Sequence, residues 1–89
     1  MLKTFKYTSK GETRERTVAV IHESDTSFAG IDLGYLDEDQ RAKVKALFEN
    51  RAAHPFPAKG AEKGTIDGYD PTWNKAWRRF NVSSIVTDD

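Results

Sequence analysis

The fold is decided by one stretch of the chain, Trp77-Arg78-Arg79-Phe80-Asn81-Val82-Ser83-Ser84-Ile85-Val86. Its aromatic and β-branched side chains alternate with polar ones, which is typical of a half-buried β-strand. Phe80 and Val82 are expected on the buried face of that strand, in the core. With Ser83 and Ser84 between them, Val82 and Ile85 would point to opposite faces of a regular strand. A bulge or the end of the strand is therefore predicted there.

The composition excludes several classes of protein. The 89 residues include no cysteine, so neither a disulfide framework nor a thiolate metal site is available. No apolar run approaches the ~20 residues of a membrane span, and no apolar signal-peptide core is present. Fourteen basic and fourteen acidic residues give zero net charge, which argues against non-specific binding of polyanions. These features predict one small cytoplasmic domain, residues 1–89.

Two strands are predicted at about residues 2–8 and 13–22. Phe5 and Tyr7 share one face of the first strand. The second strand becomes apolar on both faces towards its end, as a central strand is. Between the two strands lies Gly11, which can adopt a positive φ in a tight turn. The two segments therefore predict an antiparallel hairpin.

A third strand and a helix are predicted next, at about residues 27–33 and 38–53. Gly30, in the middle of the strand, indicates a bend or a close approach of another backbone. Asp37 is a suitable N-cap for the helix, and Gln40 completes a capping-box pattern three residues later. The apolar stripe of the helix is narrow, so we expect it to lie across one edge or end of the sheet.

A long loop is predicted at about residues 54–75, before the last strand at about 76–87. Its Pro and Gly pairs are typical of loops and turns. The whole pattern predicts an α+β fold that is mainly β, with four to five antiparallel strands and one helix inserted before the last strand. The sheet is expected to be curled or partly closed as a barrel, and closure requires the last strand to pair with the first ones.

Four segments together resemble WYL domains, which are small SH3-like β-barrels of bacterial transcription regulators and phage-defence proteins. Phe5–Thr13, followed by Arg16-Thr17-Val18, is similar to the opening strand, glycine turn and Arg-x-Val of that family. Phe28–Asp32 is similar to its third strand. Arg78–Ile85 is similar to its closing strand.

The resemblance is partial, since the Trp-Tyr-Leu signature of the family falls at Thr26-Ser27-Phe28 and is absent. Asn81 and Ser84 stand where the closing strand of the family has its second and third arginines. The resemblance implies an SH3-like barrel that binds nucleic acid or a nucleotide through basic residues on its strands. Arg16 and Arg78 are the two residues that match those positions.

The residues themselves suggest a nucleic-acid or nucleotide surface made of Arg16, Arg78, Arg79, Lys6 and Tyr7. Guanidiniums pair with phosphates through bidentate hydrogen bonds, and exposed aromatic rings stack on bases. The alternative is that Tyr7 belongs to the core and that the arginines coat an edge strand against aggregation.

A second candidate surface consists of Tyr69, Trp73 and Trp77, which would contact a protein partner if their rings were exposed. The alternative is that these rings anchor the long loop to the core. Because the chain lacks an attached DNA-binding domain, we favour a protein partner over nucleic acid.

No catalytic residue, cofactor or metal site is predicted. Asp37-Glu38-Asp39 is explained by helix capping, and His22 and His54 lie far apart with no cysteine to assist them. The sequence therefore predicts a small non-enzymatic regulatory module that contacts a protein partner, as a phage- or mobile-element-encoded modulator would, with nucleic-acid or nucleotide binding as the alternative. An exposed edge strand would also permit a homodimer.

Overall fold

The computed structural model describes residues 1–55 and 67–86. In these ranges the chain is mainly β, with one α-helix, and its elements are β1 (Leu2–Ser9), β2 (Glu12–Glu23), β3 (Ser27–Asp32), α1 (Glu38–Phe48), β4 (His54–Pro55), β5 (Trp77–Asn81) and β6 (Ile85–Val86). The strand order is β5-β3-β2-β1-β6, all antiparallel, and the short β4 pairs in parallel with β2. The predicted fold class is confirmed. Parts of the predicted loop and of the predicted last strand lie outside the described residues.

The predicted hairpin is formed by β1 and β2, in which Ser9 faces Glu12. Lys10 and Gly11 between them have φ angles of 53° and 78°. Positive φ at both central residues is the requirement of a type I′ turn, whose twist matches that of the strands it joins. The expectation for Gly11 is confirmed, and Lys10 shares its unusual conformation.

The chain passes from one edge of the sheet to the other through a single 3-10 turn, Val82–Ser84. Before the turn β5 pairs with β3, and after it β6 pairs with β1 through Lys6 and Tyr7. Three residues of 3-10 turn advance only about 6 Å, whereas five flat strands extend over roughly 19 Å. The sheet therefore curls until its edges approach, and the predicted pairing of the last strand with the first is confirmed.

The last strand is shorter than predicted, because β5 ends at Asn81 and the Ser83-Ser84 interruption lies in the 3-10 turn. The predicted interruption at Ser83-Ser84 is thus confirmed, but the prediction that Val82 lies in the core is wrong. Its side chain is 42% exposed. The backbone leaves the strand at this residue, and the Val82 amide donates to the Thr26 carbonyl over 2.9 Å.

The helix begins as predicted, with the Asp37 carboxylate accepting a hydrogen bond from the Gln40 amide over 2.8 Å. It ends at Phe48, well before the predicted end at about residue 53. The helix ends early because residues that follow it make contacts with distant parts of the chain. The Met1 ammonium donates to the Arg51 carbonyl, and residues 54–55 pair with β2, so the backbone must leave the helix before it reaches them.

Two apolar clusters lie on opposite faces of the sheet, because successive residues of β2 point in opposite directions. The helix-side cluster contains Ala19, Ile21, Ile31, Leu33, Leu36, Val44, Phe48, Trp73 and Ala76. The inner cluster, on the other face, contains Phe5, Val18, Val20, Phe28 and Phe80. Ring centroids of its three phenylalanines lie 5.2–5.5 Å apart. The predicted core position of Phe80 is therefore confirmed.

Candidate ligand-binding site

A cavity of about 400 Å³ opens between β2, α1 and the 3-10 turn Leu33–Tyr35 that follows β3. We call it the basic pocket. Four consecutive residues of β2 line it: Arg14, Glu15, Arg16 and Thr17. Arg41 and Lys45 reach it from α1, since residues four apart on a helix are neighbours. The polar residues that line the pocket are Arg14, Glu15, Arg16, Thr17, Asp32, Tyr35, Arg41 and Lys45.

Asp32 is a buried carboxylate at the base of this pocket, with only 1% of its surface exposed. One of its oxygens accepts a hydrogen bond from Arg16 Nη1 over 2.9 Å, and the other accepts from the Gly34 amide over 2.9 Å. A buried charge is costly unless it is paired in this way. Asp32 thus fixes the guanidinium of Arg16 and the turn that carries Tyr35 in one arrangement.

Tyr35 lies at the pocket with two guanidiniums against it and 46% of its surface exposed. Arg16 Nη1 donates to its hydroxyl over 3.3 Å, and the Arg78 guanidinium lies 4.3 Å from the ring centre. Arg78 is itself held by the carbonyls of Trp77 and Lys75, at 2.8 and 3.1 Å. The hydrogen bonds from Arg16 and then from Arg78 lower the pKa of Tyr35, while the bond to Tyr35 and the contact with Asp32 raise the pKa of Arg16. The two guanidiniums therefore favour negative charge at the Tyr35 hydroxyl.

Of the predicted nucleic-acid residues, Arg16 and Arg78 come together at Tyr35. Lys6 and Arg79 are not among the described residues that line the basic pocket. Arg79 lies on the opposite side of β5 from Arg78, as successive strand residues do, and donates to Ser27 Oγ over 3.2 Å.

Tyr7 packs on the inner cluster, with its ring centroid 5.0 Å from that of Phe80. Its hydroxyl accepts a hydrogen bond from the Asn81 amide over 3.3 Å. The alternative reading of this residue therefore holds: Tyr7 ties β1 to the end of β5 and contributes to the core.

Of the predicted protein-contact residues, Trp73 is almost fully buried in the helix-side cluster, with 1% of its surface exposed. Tyr69 is half-buried against the Trp73 ring at 5.3 Å, and its hydroxyl donates to Asn74 Oδ1 over 2.7 Å. Trp77 is half-buried and packs against the same cluster. These rings anchor their segment to the core, so the protein-partner hypothesis loses its main support.

The sequence did not identify five residues of the site, which are Arg14, Asp32, Tyr35, Arg41 and Lys45. The sequence carries a weak signal for Asp32 and another for the pair Arg41 and Lys45. Asp32 is a lone carboxylate at the end of an otherwise apolar strand, which indicates a charge with a specific partner. The four-residue spacing of Arg41 and Lys45 places two cations on one helix face. Neither signal shows that the two groups meet.

Tyr35 and Tyr69 are expected to titrate at different pH values. The pKa of Tyr35 is lowered by Arg16 and Arg78, whereas burial raises the pKa of Tyr69 to about 12. Tyrosinate absorbance measured against pH should show an early phase that Tyr35→Phe removes and a late phase that Tyr69→Phe removes. An early phase that persists in Tyr35→Phe would contradict the effect of the two guanidiniums.

The same titration affects stability. The folded-state pKa of Tyr69 lies above its unfolded value of about 10. The neutral hydroxyl therefore contributes fully to the free energy of unfolding below about pH 10. The contribution is lost as the pH rises towards the folded value of about 12. Tyr69→Phe should therefore flatten the decline of the free energy of unfolding in this range.

Other features of the described ranges do not identify a function. Within residues 1–55 and 67–86, no three histidine or acidic side chains converge as a metal site. None of the helices in this part of the chain is long and apolar enough to cross a bilayer. No protein-family model, curated protein or solved structure matches the chain.

Proposed function

We propose that the chain is a small non-enzymatic binding module that holds a phosphate-bearing ligand, a nucleotide or nucleic acid, in the basic pocket. The observation that carries this proposal is that four cationic residues line one cavity of about 400 Å³. Small-ligand pockets usually measure about 300–1,000 Å³. Guanidiniums match the oxygens of phosphate in a bidentate manner, which an ammonium does not.

Tyr35 adds the second element that a nucleotide requires. Its partly exposed ring gives apolar surface beside the cations, and bases stack on such rings in a sequence-tolerant way. The resemblance to WYL domains stays a prediction. It agrees with this proposal in one respect, because the two matched arginines, Arg16 and Arg78, are the two that contact Tyr35.

Fluorescence anisotropy with labelled nucleotides and short oligonucleotides tests the proposal at low and high salt. The double variant Arg41→Gln/Lys45→Gln removes two pocket cations from the outer side of the helix. If each contributes about 1 kcal/mol, affinity should fall about thirtyfold. Arg16 is a poorer choice, because its removal would leave the Asp32 carboxylate buried without its ion pair.

The matched control is Lys10→Gln/Lys43→Gln, which changes the net charge equally at two exposed sites that do not line the pocket. It should bind as the parent chain does. Equal weakening in both double variants would mean that binding follows net charge and not the pocket. Absence of binding to every probe at low salt would refute the proposed function.

A further inference from the structure

The charges around the basic pocket are nearly, but not fully, balanced. Its described lining carries two more cationic than acidic side chains, the cations being Arg14, Arg16, Arg41 and Lys45 and the carboxylates Glu15 and Asp32. A terminal phosphate monoester carries about −1.5 to −2 charges at pH 7, because its second pKa is near 6. An internal phosphodiester carries a single negative charge. The excess positive charge of the pocket therefore matches one monoester.

On β2 and α1, carboxylates lie beside the cations of the pocket. On β2, Glu12 forms an ion pair with Arg14 at 3.0 Å, and Glu15 follows. On α1, the first turn carries Glu38 and Asp39. A nucleic-acid strand is normally held in a positively charged groove that follows its backbone. A strand leaving this pocket over either element would instead meet carboxylates, so the surroundings favour a compact ligand.

We propose that the basic pocket selects a terminal phosphate monoester, such as the 5′-phosphate of a mononucleotide, over the phosphodiesters of a nucleic-acid strand. This inference rests on the proposed function and specifies its ligand. The carboxylates Glu12 and Glu15 act as the excluding element, since specificity commonly depends on repulsion of the wrong ligand as well as on attraction of the right one.

Nucleoside 5′-monophosphates and the corresponding 3′,5′-cyclic monophosphates form the test. The two series share base and sugar, but the first has a monoester and the second a diester. Calorimetric titration of the intact chain at pH 7 and low salt should give about tenfold tighter binding of the monoesters, the effect of one strong charge-assisted hydrogen bond. Using each common base in both series removes base identity as the cause.

The pH dependence provides a second readout. Affinity for the monoester should rise as the pH passes through about 6, where the phosphate loses its second proton, and affinity for the cyclic diester should not. The charged or titratable groups that face this position are Arg14, Glu15, Arg16, Asp32, Tyr35, Arg41 and Lys45, with Arg78 across the Tyr35 ring. Histidine is absent from the described lining, so the ligand is the group expected to titrate in this range.

Glu15→Gln tests the excluding element, because this side chain is exposed and its loss should leave the fold intact. The variant should bind oligonucleotides several-fold more tightly and so reduce the preference for a mononucleotide over a nucleic-acid strand. If monoesters and diesters bind the parent chain equally well, the selectivity is refuted while the proposed function stands. If neither class binds, both proposals fall.

Discussion

Replacement of Trp73 by alanine is expected to lower the free energy of unfolding by about 3–5 kcal/mol, the usual cost of removing a buried tryptophan. The ring is enclosed by the helix-side cluster and contacts Phe48 and Tyr69, with centroid distances of 6.4 and 5.3 Å. Domains of this size are stable by only ~5–15 kcal/mol. Each kcal/mol lost lowers the melting temperature by about 4–8 °C, so the variant should be largely unfolded at moderate temperature.

Urea unfolding followed by circular dichroism measures this loss without depending on tryptophan fluorescence. Trp77→Ala is the matched control, since it removes the same side chain from a half-buried position and should cost clearly less. Trp73→Phe should cost less than Trp73→Ala, because it leaves a smaller void and removes an indole N–H that is buried with no acceptor among residues 1–55 and 67–86. Equal costs for the two alanine variants would contradict the anchoring role of Trp73.

Gly30→Ala is expected to destabilise the sheet by about 3 kcal/mol, at the upper end of the cost of overpacking. A Cβ atom at Gly30 would lie 1.9 Å from the Ala19 carbonyl oxygen and 2.9 Å from Val20 Cα. Both are backbone atoms, so β2 and β3 would have to separate where the ladder already contains a register shift between Val20 and His22. The sequence prediction of a close backbone approach is confirmed at this residue.

Gly34→Ala is the control for this substitution. Its added Cβ would meet only the Asp32 side chain, at 3.2 Å, and small adjustments can relieve that contact. Chemical denaturation should therefore separate the two variants by more than the error of the extrapolation. A Gly30→Ala chain with parental stability would mean that the two strands do not approach as closely as described.

Most of the details that the sequence predicted correctly are decided by neighbours in the chain, whereas the pairing of the last strand with the first was predicted from the need to close the sheet. The turn at Gly11, the N-cap Asp37 and the end of the strand near Ser83 each follow from local backbone chemistry. The early end of α1 could not be predicted, because it depends on Met1 and β2. The exposure of Val82 depends on a hydrogen bond to Thr26, which is distant in sequence.

The candidate site was predicted only in part for the same reason. Arg16 and Arg78 were recognised from residue type and from the resemblance, without knowledge of what they contact. Their common neighbour Tyr35 sits in a turn placed by the buried Asp32, and α1 then closes the pocket. No periodicity in the sequence reveals a meeting of three separate elements. Trp73 was ambiguous because an isolated tryptophan in a polar segment fits an anchor and an exposed contact equally well.

The pairing of β6 with β1 has a consequence for folding kinetics. Lys6 pairs with Val86, so almost the whole chain separates two hydrogen-bonded neighbours. Contacts of such high contact order form late, because the entropy of closing the intervening loop must be overcome first. The β1–β2 hairpin can form early, and until β6 arrives the outer side of β1 is an open edge for intermolecular pairing. Lys3 and Lys6 on this strand place charge where it opposes such aggregation during folding.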